Sequence, residues 1–136
     1  MATTSAKFKI TDPQIEVNNK PWAIKPNTLS YNEGLGTDNV EIASLGNGNY
    51  EVVISSNAEE KKGMCKFESF PTADQIDRAR GLKLNPGANT IAISARGLNG
   101  QIFTRSFSFM TVVNDPEIAL QTDGSFELQF EGGQAV

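Results

Sequence analysis

Apolar and polar positions alternate with a period of two along most of the chain, the spacing of strands with one covered face. The clearest run is Phe126–Glu131, with Phe126, Leu128 and Phe130 on one side and Glu127 and Glu131 on the other. Upstream, Phe103, Phe107 and Phe109 share a side with Arg105, opposite Ile102, Thr104, Ser106 and Ser108. An arginine among phenylalanines calls for a sheet edge or a salt bridge. Two Asn-Gly pairs, Asn47-Gly48 and Asn99-Gly100, interrupt these runs. Both residue types accept the positive φ of type I′ turns, so each pair predicts a hairpin. Beyond the first, "YEVVISS" and "GMCKFE" read as two more strands around the charged tip Glu59-Glu60-Lys61-Lys62.

The period changes to that of a helix over residues 72–84, in "PTADQIDRARGLKLNPG". Thr72 and Gln75 have capping-box spacing, Asp74 lies in the electropositive first turn, and Arg78, Arg80 and Lys83 follow. Asn85-Pro86-Gly87 stops the helix. Ala73, Ile76 and Ala79 form a thin apolar stripe, predicting that it packs on a sheet by a narrow face. Residues 27–39, "NTLSYNEGLGTDN", keep no period and read as a long loop. Exposed Tyr31 and Leu35 there are costly in water unless something covers them.

The length, 136 residues, suits a single domain, 1–136, with a modest core. Hydrophobic residues make up only 38% and charged residues 21%, so much of the surface is neutral and polar. The net charge of −4 argues against tight duplex binding by phosphate neutralisation. Charge is unevenly spread, with bases clustered at Lys7–Lys25 and Arg78–Arg105 and none after Arg105. No apolar run is long enough to span a membrane. A single cysteine and an opening stretch without an apolar core lead us to expect synthesis in a reducing cytoplasm.

Candidate chemistry is sparse. With no histidine, Ser-His and Cys-His nucleophiles and most transition-metal sites drop out. Cys65 shares a strand face with Phe67 and reads as a buried thiol. Gly34-Leu-Gly36 and Gly46-Asn-Gly48 are too short to cradle phosphate and open no helix. Glu59-Glu60 or the acids of the last strand could form a carboxylate pair, but nothing sets an acid beside a base. Trp22 could stack on a sugar, although an anchoring role in a core or interface is commoner. No enzyme, cofactor or metal is expected.

The run "TLSYNEGLGTDNVEIASLGNGNYEVVISSNAEEKKGMCKFESFPTADQIDRARGLKLNPGANTI" resembles the tail tube proteins of contractile-tailed bacteriophages. It carries that family's Leu-Ser-Tyr…Gly-Leu-Gly segment, a Gly-rich turn into a Val-Val strand, an acidic-to-Lys-Lys-Gly hairpin, a Lys-Phe-Glu strand and then the helix. With "FTRSFSF" and the acidic closing strand, the likeness covers about residues 28–136. It rests on the order of elements more than on any one motif.

The resemblance implies a mainly β (α+β) fold, an antiparallel β-sandwich or half-barrel with one flanking helix. It implies homo-hexameric rings stacked into a hollow tube in the virion tail, assembled in the host cytoplasm. Sheath, tape measure and baseplate proteins are the implied partners, and DNA passes through the lumen without specific binding. On this expectation Tyr50, Val52 and Ile54 face the subunit core, while Glu51, Val53 and Ser55, with Thr104, Ser106 and Ser108, line the lumen. Tyr31, Leu35 and Gly36 then belong to a loop buried by the next ring. The same fold serves phage-derived bacteriocins and secretion tubes. A monomeric β-sandwich binding module, using Trp22 and Tyr31, is the alternative of a different class.

Overall fold

The computed structural model describes residues 11–56, 61–97 and 100–136. In chain order the elements are β1 (Thr11–Val17), β2 (Lys20–Trp22), β3 (Ser30–Asn32), β4 (Asp38–Gly46), β5 (Asn49–Ser56) and β6 (Gly63–Ser69). Then come α1 (Ala73–Leu84), β7 (Asn89–Arg96), β8 (Ile102–Val112) and β9 (Phe126–Gly132). Seven strands form one antiparallel sheet in the order β2-β1-β7-β8-β9-β6-β3, while β4 and β5 pair only with each other. The fold is mainly β with one helix, as expected for a curled sheet of half-barrel type.

The alternation read from the sequence builds the interior. Phe126, Leu128 and Phe130 of β9 are buried, as are Cys65 and Phe67 of β6 and Ile91 and Ile93 of β7. Burying each large apolar side chain contributes about 1.5–3 kcal/mol. The sheet curls until strands far apart in its order touch. Tyr31 on edge strand β3 reaches Phe107 of β8, with ring centroids 5.8 Å apart. At the other edge, Trp22 of β2 meets Phe67 of β6 at 5.8 Å. An antiparallel bridge between Ile24 and Ser69 draws the two edges together.

Helix α1 sits against this seam, and a chain of buried hydrogen bonds fixes it there. The Trp22 indole N–H donates to Ser69 Oγ at 2.8 Å. The Ser69 hydroxyl lies 3.1 Å from Gln75 Oε1, and Gln75 Nε2 donates to the Ala23 carbonyl at 3.0 Å. Every member is satisfied, which such a buried network requires. The capping box is therefore only half formed. Thr72 Oγ accepts from the Gln75 amide, but the Gln75 side chain turns into the core. The buried helix face is Gln75, Ala79 and Leu82, with Ile76 half-buried and Ala73 exposed, not the predicted Ala73-Ile76-Ala79 stripe.

Three expectations need correction. Residues 27–39, read as a loop, contain β3, which pairs with β6, and the first residues of β4. The arms "YEVVISS" and "GMCKFE" do not form a hairpin with each other, because β5 pairs with β4 whereas β6 lies between β3 and β9. The Glu59-Glu60 tip falls outside the described residues, as does Asn99. Phe109 also leaves the face it shares in sequence with Phe107. The register of β7 on β8 shifts between Asn89 and Ile91, and Phe109 takes φ 58°. This bulge turns Phe109 outward and Met110 inward. The close approach of Gly132 and Gly133 explains its place, since a Cβ on either would collide with the Phe109 or Ser108 carbonyl.

Past the bulge, residues 133–136 run along β8. Gly133 N–H donates to the Ser108 carbonyl, and Ser106 and Val136 exchange two hydrogen bonds of 2.9 and 3.0 Å. This tail also ties down the segment after β3, through Ala135 N–H to the Glu33 carbonyl at 2.9 Å.

Candidate functional site

Strands β4 and β5 make a long arm around Asn47-Gly48, whose φ values of 52° and 74° are those of a type I′ turn. Cross-strand register places Val40 opposite Ile54, Ile42 opposite Val52 and Ser44 opposite Tyr50. Opposed residues lie on the same face, so these side chains form an apolar ladder down one side. On the other side Asn39 opposes Ser55, Glu41 opposes Val53 and Ala43 opposes Glu51. The arm is thus a two-stranded ribbon with one apolar and one mostly polar face.

Among the described residues nothing covers the apolar face. Ile42 is 67% exposed, Tyr50 68% and Ile54 65%, values found at strand positions that a core would bury. The expectation that Tyr50, Val52 and Ile54 face the subunit's own core is therefore corrected. The arm's extensive packing is confined to its own two strands. An exposed two-stranded ribbon is marginal by itself in water, and a contiguous apolar surface of this kind marks an interaction site.

The lumen candidates divide between two places. Glu51, Val53 and Ser55 share the polar side of the arm, and all are exposed. Thr104, Ser106 and Ser108 are exposed on the outer face of the curled sheet. There Thr104 opposes Ser94 and Ser106 opposes Ala92, while Gln14 and Glu16 continue the row on β1. Within one subunit these groups form two separate polar surfaces. The surface on β1, β7 and β8 carries Glu16 and, towards the β7–β8 turn, Arg96 opposite the exposed Ile102 among these small polar groups.

The loop candidates separate as well. Tyr31 is half-buried, packs on Phe103 and Phe107, and donates from its hydroxyl to Glu33 Oε1 at 3.0 Å. Burial, followed by this bond, raises its pKa. Arg105, the arginine among phenylalanines, closes the cluster with Nε 2.9 Å from Glu33 Oε1 and its guanidinium 4.5 Å from the Phe103 ring centroid. Tyr31 is therefore part of the subunit's own packing. Leu35, 74% exposed, projects from the loop, and Gly36 takes φ 75° beside it. Gly34 approaches Lys62 and Gly63 so closely that any side chain there would collide with backbone.

The Arg105 bond holds the Glu33 carboxyl below its usual pKa, aided by Tyr31 and opposed by partial burial. A depressed folded-state pKa gives stability that is present at neutral pH and lost as pH falls through that value. Glu33→Gln is expected to lower the melting temperature at neutral pH and to flatten its decline on acidification. Thermal melts of both proteins across the carboxylate range check this; parallel curves would remove Glu33 from the acid response.

Elsewhere the described residues offer little catalytic geometry. Burial pushes the Cys65 thiol up to about 12. No group of three or more acids and cysteines is placed to hold a metal among the described residues. A hollow of about 370 Å3 beside β3, lined by Ser30, Asn32, Met64 and Gln129, has Lys66 as its charged side chain. No helix among the described residues is long and apolar enough to cross a membrane. Sequence reasoning missed three exposed groups: the Val40–Ile42 half of the ladder, Phe109, and the apolar residues of 113–120. The alternation in "VEIASL" carried the first, whereas nothing local marked the others. No family model and no curated protein matches the chain.

Proposed function

We propose that the chain is the structural subunit of a hollow tube of the contractile-phage tail type, in which hexameric rings stack and DNA passes through the lumen. The observation carrying this reading is the β4–β5 arm, an amphipathic ribbon whose apolar face none of the described residues covers. A neighbour that pairs with the arm buries the Val40, Ile42, Tyr50, Val52 and Ile54 ladder and removes free strand edges that would otherwise invite aggregation. The opposite face, with Glu41, Glu51 and Ser55, then turns to the lumen together with Thr104, Ser106 and Ser108. A wall of carboxylates and hydroxyls repels phosphate and lets DNA slide.

The binding-module reading loses its contacts. Trp22 is 4% exposed and its indole N–H is spent on Ser69, while Tyr31 packs within the subunit. Tubes of bacteriocins and secretion systems share the assembly and differ in what surrounds them. Negative-stain electron microscopy of purified protein over a range of concentrations tests the proposal, with stacked annuli or hollow tubes the expected result. A monomer at every concentration, by imaging and by sedimentation, overturns it.

A further inference from the structure

The sheet has two distinct ends. Strand β6 starts at Gly63, against Gly34 and the root of the arm, and finishes at Ser69, beside Phe126 and Ile24. At about 3.3 Å per residue the ends lie roughly 20 Å apart. Each displays apolar groups. Leu35 projects at the arm end, and residues 113–121 at the other end present Val113 at 44%, Ile118 at 37% and Leu120 at 80% exposure.

Segment 113–121 is held in place although it forms no helix or strand. Val113 N–H donates to the Gln129 carbonyl, and Asn114 brackets β9 by donating to the Glu127 carbonyl and accepting from the Gln129 amide. Ala119 N–H bonds to Ser125, Gly124 N–H to Gln121, and Lys25 Nζ to the Asp123 carbonyl. A leucine held out on so firmly tied a segment is prepared for contact, because little freedom remains to be lost on binding.

The arm end has a matching receptacle. Beside Leu35 lies a hollow of about 370 Å3 lined by Asn32, Glu33, Gly34, Gly36, Lys62 and Met64, its acid Glu33 held by Arg105. Charges match too. Asp115 and Glu117 are exposed on a segment that itself carries no base, with Lys83 and Lys25 reaching only its flanks at the Val112 and Asp123 carbonyls; at the arm end Lys61 is exposed, beside Lys62, which bridges to Glu131 at 3.0 Å.

We propose that Leu120, at the Ser69 end of the sheet, seats in the hollow beside Leu35 of a second copy, with Asp115 and Glu117 facing its Lys61. Two different patches at opposite ends make a heterologous contact, which repeats along an axis without closing. The assignment rests on the tube reading and names the receiving surface for the loop at Leu35. Lateral contacts through the arm are a separate surface.

The test uses the full chain under conditions where the wild type forms tubes. Leu120→Asp is expected to leave single annuli and the melting temperature unchanged, while mean tube length falls at least tenfold. Asp115→Lys with Glu117→Lys is expected to shorten tubes similarly, and adding Lys61→Glu, which leaves the Lys62–Glu131 pair intact, to lengthen them again. Wild-type tube lengths from Leu120→Asp overturn this contact, as does failure of the charge exchange to rescue. A wild type that forms neither annuli nor tubes overturns the tube reading itself, and this contact with it.

Discussion

Ile42→Asp is expected to abolish ring and tube formation while changing the melting temperature of the free subunit by less than about 2 °C. Ile42 stands at the middle of the arm's apolar ladder, opposite Val52, and is 67% exposed. Because the arm packs chiefly on itself, a carboxylate there costs the core nothing. In the proposed ring the same position would be covered, and an unpaired charge buried there would cost several kcal/mol on top of the lost apolar contact. The contact recurs around the ring, so the loss multiplies. Val53→Asp is the control. It lies on the same ribbon but on the face assigned to the lumen, so it perturbs the hairpin comparably without entering the interface. Electron microscopy with sedimentation velocity separates the outcomes. Normal tubes from Ile42→Asp, or equal loss from both variants, would remove the ladder from the interface.

The largest effect on stability is expected at Phe67. Its side chain is fully buried, edge-on to Trp22 at 5.8 Å and stacked on Phe130 at 5.9 Å. It therefore joins the β2 edge to the middle of the sheet at the seam where the curl closes. Phe67→Ala removes those contacts and leaves a cavity walled by rigid strands that cannot collapse into it. A loss of about 3–5 kcal/mol follows for such truncations. For a domain of this size that lowers the melting temperature on the order of 10–20 °C. Urea unfolding and calorimetry measure it. A loss under about 1 kcal/mol would mean the seam holds without this ring.

Local chemistry accounts for what was legible in advance. The extent of the helix follows from Thr72 and the Asn85-Pro86-Gly87 stop, and the two Asn-Gly pairs do lie between paired strands. Strand β9 buries the three residues its alternation indicates. The misreadings arise where distant segments decide. Alternation reveals that "GMCKFE" is a strand but not that its partners are Ser30–Asn32 and Phe126–Gly132. Likewise, Tyr50, Val52 and Ile54 share a face in any strand, while what covers that face depends on the rest of the fold. Phe109 turns over because a glycine pair from the far end of the chain presses on its backbone. Gln75 keeps the Thr72 hydroxyl at 3.3 Å but not the Thr72 backbone N–H, because a buried serine and a carbonyl offer its side-chain amide better-shielded partners.

The position of the arm between β3 and β6 has a consequence for the order of folding. Tyr31 must find Cys65 across the whole insertion, an unfavourable loop to close if the insertion were a free coil. The arm, however, is a hairpin with a strong local turn, and such hairpins form within microseconds. Once Asp38 stands beside Ser56, the free chain between β3 and β6 is roughly halved. Each halving of a loop spares about 0.6 kcal/mol of closure entropy. An element that packs chiefly on itself thus shortens the search by which the monomer's edge strand finds its place.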